Sequence, residues 1–462
     1  MADRNIRRRL LAALRGTADR LKRLSRKLWV RIIGIAALAL LASGMATLVG
    51  PYLPEALEGL IRKEAVENLL DSISSSMLAV TIFSLSVMVS VHRAAEGNWT
   101  PRIHRLLAQD NVTLTAISVF LGGWLYALAA RILLDATLIG SVEHVFLFFM
   151  TVLVVLLIVV VVMRWVAHLS GLGSLMETGG RLEQETRAAF ELRAQEPCLG
   201  GHPLLPESVI PETARPVRAP RTGWITNIDG EALNRIGAEA EGAGTPVYVL
   251  APIGAFVARG DEIARVAGPK ARQDEAAEAF GIGELRSFYR DPGYGLLVMS
   301  EVAQRALSPG VNDPGTAIEI LGRMLRALEA WVPETEAAQA GTAKNGEADT
   351  GASGAPSRPH LWAPPLAAGP LVQSAFLPIA RDGAGSVEVA LATIATLDRL
   401  ARHHDAGMAA AARSASDSAR DRARRTLDDP VDLERLRLGP EAPDAAPSDS
   451  AGPARPMVRE AV

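Results

Sequence analysis

Cysteine is almost absent from this chain: Cys198 stands alone among 462 residues, which excludes an intramolecular disulfide and any cysteine-based metal cage. Histidine does not fill the gap. His403 and His404 are adjacent, so on a helix they point to different faces and make a poor metal pair. Nothing resembling GxxxxGK[ST] occurs, so a Walker-type phosphate cradle is excluded. No set of nucleophile, base and orienting group spells out a reaction, and no catalytic residue, metal ligand or cofactor is assigned.

What the chain does have is charge segregation and long apolar runs. The net charge of −3 hides a segment, residues 1–31, with eleven Lys/Arg against Asp3 and Asp19. A basic stretch abutting an apolar run reads as a cytoplasmic retention signal lying on anionic lipid head groups, and this is favoured over nucleic-acid binding. Apolar runs follow at 32–49, 73–91, 112–134 and 145–163, each near the length a spanning helix needs. The first has too long a core and too extended a leader for a cleaved signal peptide, and reads as a signal anchor. Lys/Arg mark cytoplasmic connections. The acidic first loop (Glu55 to Asp71) and third loop (Asp135, Glu143) fall outside, the second (Arg93, Arg102, Arg105) inside, and Arg164 follows the last span. Both termini are therefore expected in the cytoplasm, and residues 32–163 form a four-helix transmembrane domain.

The spans differ. The fourth is nearly uniform in apolar residues, as suits a lipid-facing helix. On the second, Ser72, Ser75, Ser76, Ser86 and Ser90 fall within an arc of about 100 degrees. Two readings stand: a polar lining of a permeation path, or small-residue packing with hydroxyls bonded back to their own helix, the second being favoured. Gly122 and Gly123 halfway along the third span let a neighbouring backbone come close. Arg131 and Asp135, four apart, pair near the outer end, and no ionisable residue sits at mid-membrane, which leaves a proton relay unsupported.

The remainder reads as a cytoplasmic α+β domain. Residues 164–220 form a membrane-exit helix, interrupted near Gly171–Gly173 and again at Gly179 and Gly180, and a connector with six prolines. Period-two strands around a short helix make residues 221–268 a small β-barrel-like module, similar in order to lipoyl-type hybrids but without a lysine at a hairpin tip, so no swinging-arm cofactor is expected. Residues 269–331 contain two helices meeting at a corner. Leu296, Leu297, Val302 and Ala306 line the first. The second is capped by Asn312 or Asp313, has Pro314 in its first turn, and carries Ile318, Leu321, Leu325 and Leu328 on one face. The corner, with Arg305, Ser308, Pro309, Gly310 and Thr316, is either an anion-binding loop or a packing device; a capping Asp313 favours packing. Residues 332–369 read as a disordered insertion, 370–437 as helical, and 438–462 as a disordered tail.

Three pieces, SMLAVTIFSLSVMVSVHRAAEGNWTPRIHRLLAQDNVTLTAISVFLGGWLYAL, GWITNID with GAFVARGD, and GLLVMSEVAQRALSPGVNDPGTAIEIL, occur in the order found in domain-of-unknown-function family 2254, bacterial integral membrane proteins that this chain resembles over roughly residues 25–430, the 332–369 insertion excluded. SPGVNDPGTA is the specific part, with Pro101 and Arg102 in the inner loop; Trp99 stands where the family more often has Phe. The resemblance implies membrane residence in the bacterial inner membrane and a fold, and carries no catalytic residue. The leading expectation is a non-enzymatic channel-like or sensor and assembly module, a homo-oligomer with the second spans near its axis. The alternatives are a membrane-associated enzyme with its site at the Arg305–Thr316 corner, and a scaffold for a cytoplasmic partner.

Overall fold

The computed structural model describes residues 28–49, 63–98, 102–103, 111–135, 143–169, 175–239, 245–334 and 356–439. The expectations for the basic segment up to residue 27, for Trp99, Pro101, Gly171–Gly173, most of the 332–369 insertion and the tail from 440 onward lie outside the described residues. The chain divides into two compact units, residues 1–178 and 179–462.

In the first unit each apolar run lies on a helix: α1 (Leu28–Val49), α2 (Lys63–Asn98), α3 (Asn111–Asp135) and α4 (Glu143–Leu169). Three of them contain stretches long and apolar enough to cross a membrane, Lys63–Val91, Val112–Asp135 and Val145–Leu169; α1 has a shorter apolar stretch at Trp29–Leu38. Helices are the natural form for such runs, because each backbone N–H and C=O is bonded within the segment. α2 is 36 residues long with no proline and no glycine before Gly97, so nothing in it breaks the ladder.

α3 is the interior helix. Buried residues make up 56% of its apolar window, against 17% for α2 and 28% for α4. Phe120, Tyr126, Ala127 and Ala130 are fully buried, and the Tyr126 hydroxyl meets Thr151 Oγ1 on α4 at 3.1 Å. Gly122 and Gly123 make the packing possible: a Cβ at Gly122 would stand 2.8 Å from Ile35 Cβ on α1, and one at Gly123 2.9 Å from Ile158 Cδ1 on α4. The interior contacts thus belong to α3 with α1 and α4 as well as α2, and not to the second and third spans alone. α4 leaves Phe149, Leu153, Leu156 and Met163 exposed.

The expected first loop is shorter than its acidic residues imply. Glu64, Glu67 and Asp71 sit in the first turns of α2, where a carboxylate is favoured by the helix dipole. There Arg131 takes both Glu67 (3.3 Å) and its expected partner Asp135 (3.2 Å).

In the second unit, α5 (Leu175–Gln195) runs straight through Gly179 and Gly180, contrary to the expected interruption. The reason is visible in its neighbour: the Arg323 guanidinium lies where a side chain at Gly179 would be, 3.0 Å from that Cβ position. The proline-rich connector holds a 3-10 turn (Pro197–Gly200) and strands β1 (His202–Pro203) and β2 (Arg215–Arg218). Then come β3 (Gly223–Ile228), α6 (Gly230–Ala238), β4 (Val247–Val249), β5 (Phe256–Val257), β6 (Glu262–Val266), α7 (Lys270–Glu278) and β7 (Phe280–Gly283).

These strands do not close into a barrel. They form two open sheets, a five-stranded one in the order β1-β8-β4-β6-β2 and a three-stranded one in the order β5-β3-β7. Strand β8 (Leu361–Ala363) comes from the stretch expected to be disordered and inserts parallel between β1 and β4. Its three residues carried no pattern strong enough to read, yet Leu361 is fully buried and joins Val217, Ile225, Val247, Val249 and Ile263 in one core.

The helices α8 (Pro292–Ala306), α9 (Pro314–Leu328), α10 (Ala368–Asp382), α11 (Val387–Leu400), α12 (Ala406–Thr426) and α13 (Pro430–Leu438) complete the unit. The buried face of α9 is Ala317, Ile320, Leu321, Met324, Ala327 and Leu328, with Ile318 37% exposed and Leu325 half-buried. The face is rotated from the expected one, because the alanine and methionine positions pack inward.

Replacing Leu361 by Ala should cost about 2–5 kcal/mol of stability, measured as the shift in the urea midpoint of the solubilised protein followed by tryptophan fluorescence. A change below about 1 kcal/mol would show that β8 is dispensable.

Candidate functional site

The serine-bearing face of α2 turns away from its own bundle. Ser72, Ser75, Ser76, Ser86 and Ser90 are all exposed, while Val66, Leu70, Ile73 and Ser84 on the other side are buried. Four of the five hydroxyls are bonded back to their own helix: Ser72 donates to Asn68 O (2.7 Å), Ser75 to Asp71 O (2.8 Å), Ser76 to Ser72 O (2.5 Å) and Ser86 to Ile82 O (2.9 Å). Back-bonding of this kind lets a serine tolerate an apolar surrounding without a partner from another helix. Ile82, Phe83 and Leu85 are exposed between them, so the face is apolar with small satisfied notches.

The corner between α8 and α9 is closed on itself. Ser308 Oγ donates to Arg305 O (2.7 Å), the Asn312 amide to Ser308 O (2.9 Å) and the Asp313 amide to Ala306 O (2.8 Å). Asn312 adopts φ 50°, a left-handed conformation in which asparagine is one of the better-tolerated residues. Asp313, not Asn312, is the cap: its carboxylate accepts from the Thr316 amide at 3.0 Å and from the Thr316 hydroxyl. The Thr316 hydroxyl and amide bonds hold that carboxyl below its usual range. Pro309, Gly310, Asn312, Asp313 and Pro314 are exposed and Thr316 half-buried, and the first amides of α9 already have their acceptor. Arg305 is half-buried at the last turn of α8. No two of these side chains form a nucleophile and base pair, and His403 and His404 stack on each other at 4.2 Å with the His403 Nδ1 accepting from the Asp405 amide. Among the described residues no cluster suited to a metal ion is present.

Three buried ion pairs were not anticipated. Glu183 on α5 receives Arg326 through two bonds (2.8 and 3.0 Å) and Arg323 at 3.3 Å. Asp291 caps α8 by accepting from the Tyr294 amide (3.0 Å) and holds Arg286 side-on through its Nε and Nη2 (2.6 and 3.0 Å); Gly254, at φ +87°, approaches so closely that a Cβ there would meet Asp291 Oδ2 at 2.4 Å. Glu334 bonds the Arg193 Nε and accepts from the Cys198 amide at 3.1 Å. The first two had signals: arginines on the inner side of an amphipathic helix, and an Asp-Pro start. The third joins residues too far apart for spacing to reveal.

A family model for predicted membrane proteins (DUF2254) matches residues 25–399. The chain belongs to the DUF2254 family. The match takes in α1–α4, both sheets, the SPGVNDPGTA corner and most of α11, so the membrane unit and the mixed unit are parts of one family architecture. No curated protein and no solved structure matches it. DUF2254 membership makes this a predicted membrane protein and assigns no activity.

Two outcomes follow. Asp313→Ala should cost about 1 kcal/mol of stability through loss of the cap, and Asn312→Gly should be nearly neutral where Asn312→Val costs about 1–2 kcal/mol, all read from denaturant midpoints. Burial and then the Glu334 carboxylate push the Cys198 thiol up to about 12, so the folded protein holds its proton more tightly than the unfolded chain does. The resulting stability is complete below the ordinary thiol range and is lost progressively as pH rises from that range to about 12. In Ellman titration at pH 8 the native thiol should stay unreactive and become fully reactive in denaturant; fast native reaction would contradict this.

Proposed function

We propose that this DUF2254 protein is a non-enzymatic, multi-pass inner-membrane module, channel-like or sensing, whose copies associate through the outward face of α2. The observation that carries the proposal is that the serine face lies opposite the buried face of α2 and has the hydroxyls of Ser72, Ser75, Ser76 and Ser86 bonded within the helix. Small residues whose polar atoms are already bonded allow a second helix to approach closely in lipid, and in an oligomer they would place the α2 helices nearest the axis.

Four spans, with both termini in the cytoplasm, fit the arginines between α2 and α3 and the basic segment before α1, which would rest on anionic head groups. The mixed unit then lies in the cytoplasm, where it gates or assembles the membrane unit. The enzymatic reading is less well supported, since the Arg305–Thr316 corner spends its polar groups on capping and turn bonds.

Ser75→Cys and Ser86→Cys, oxidised in native membranes, should each give a crosslinked dimer, whereas Leu70→Cys on the buried face should not. Reconstituted protein should pass an ion or small solute under a voltage or osmotic step. Absence of crosslinks at both serine positions, with a monomeric particle and no flux, would overturn the proposal.

A further inference from the structure

A cleft of about 410 Å³ opens between the loop before β5, the start of α8 and the start of α10. Its walls are apolar: Ile253, Leu297, Pro365, Leu366, Pro370 and Leu371. Its polar floor is formed by Arg193, Arg286 and Asp291, with Glu334 behind Arg193. The size is that of a site for a small organic molecule, and such sites typically combine an apolar body with a few polar groups that orient the ligand.

The hydrogen-bond balance of the floor is lopsided. Both oxygens of Asp291 are taken, by the Arg286 Nε and Nη2 and the Tyr294 amide. Both oxygens of Glu334 are also taken, by the Arg193 Nε and the Cys198 amide. A guanidinium has five N–H donors spread over three nitrogens. Arg193 spends its Nε alone, and Arg286 its Nε and one Nη; among the described residues neither Nη of Arg193 has a protein acceptor. The cleft therefore offers free N–H donors, while every carboxylate oxygen of Asp291 and Glu334 already accepts at least one bond. Arg286 is itself held rigid, its guanidinium 5.5 Å from the Trp224 ring and 5.4 Å from the Tyr294 ring, so the floor is preorganised.

We infer that this cleft binds an amphipathic anion, an alkyl or acyl chain ending in a carboxylate or phosphate, with the head on Arg193 and the chain against Leu297, Pro370 and Leu371. An anionic oxygen accepts charge-assisted bonds from the free Nη groups, and the chain buries apolar surface at about 25 cal/mol per Å². A cationic head would be repelled by the Arg193 and Arg286 guanidinium groups, which already engage their carboxylate partners, and a neutral chain would leave the Arg193 Nη groups unanswered. The inference is independent of how α2 associates.

The test uses the full chain in lipid nanodiscs with a diazirine-bearing medium-chain carboxylate, irradiated and mapped by peptide mass spectrometry. Label is expected on the peptides carrying Leu297 or Leu371. Decanoate or decyl phosphate should compete and decanol should not, and the stronger competitor tells whether the head is a carboxylate or a phosphate. Ser374 is an exposed residue of the same cleft; Ser374→Trp should reduce labelling at least tenfold, and Ala367→Trp serves if that variant does not fold. Arg193→Lys, which keeps a charge for Glu334 but loses the fork, should reduce labelling several-fold at an unchanged thermal midpoint. Label confined to α1–α4, indifference to both tryptophan variants, or equal competition by decanol would each overturn the inference.

Discussion

Glu334 is a carboxylate 3% exposed to solvent, and burying such a charge is unfavourable unless every oxygen is answered. It is answered by Arg193 near the end of α5 and by the amide of Cys198, a residue held at φ 49°. That pair of bonds fixes the left-handed turn after α5, and the turn in turn presents the Leu199 and Gly200 carbonyls to Arg358 and Ser357. Arg358 also reaches Glu196, which Arg290 holds from the other side. Burial pushes the Glu196 carboxyl up, but the bonds and charges of Arg290 and Arg358 more than offset this and leave it below its usual range. A chain of charged contacts thus leads from α5 to the strand that completes the larger sheet. Removing either partner of the Arg193–Glu334 pair would leave the other charge stranded, a loss larger than the value of the bond itself.

The membrane unit follows a different logic. Among the described residues no long-range ion pair lies in its middle; there, shape organises the packing. Two consecutive glycines on α3 accept Ile35 from one side and Ile158 from the other, and the hydroxyls of Ser72, Ser75, Ser76 and Ser86 on α2 are bonded inside their own helix. Charge appears at the ends, where Arg131 gathers Glu67 and Asp135 and Arg31 donates to Thr115 at 2.7 Å.

Legibility in the sequence tracked the range of the interaction. Caps and helix extents are local, and Asp313, Pro314 and the helices from residue 387 onward were readable from propensity and period. The glycine pair and the uniformly apolar fourth run were readable because composition alone decides them. The serine face was visible as a stripe, but not its outward direction, which depends on which face of α2 meets α3. Strand β8 was hidden because it has three residues and its partners lie more than a hundred positions earlier. The same distance hid Arg193 and Glu334, so of the polar floor of the cleft only the Asp291–Pro292 helix start left a local trace, while the SPGVNDPGTA corner, which attracted notice for its dense polar residues, spends them on its own turn.

Strand β8 also imposes an order on synthesis. β1 and β4 emerge from the ribosome well before Leu361–Ala363, and until that segment arrives β4 lacks a neighbour on one side and β1 has no strand to pair with. The nascent unit must carry an open, Val-rich edge through all of α8 and α9, the condition in which strands pair wrongly. A ribosome that stalls before residue 361 would therefore leave a product whose membrane helices are complete but whose sheet is still open for any other chain to finish.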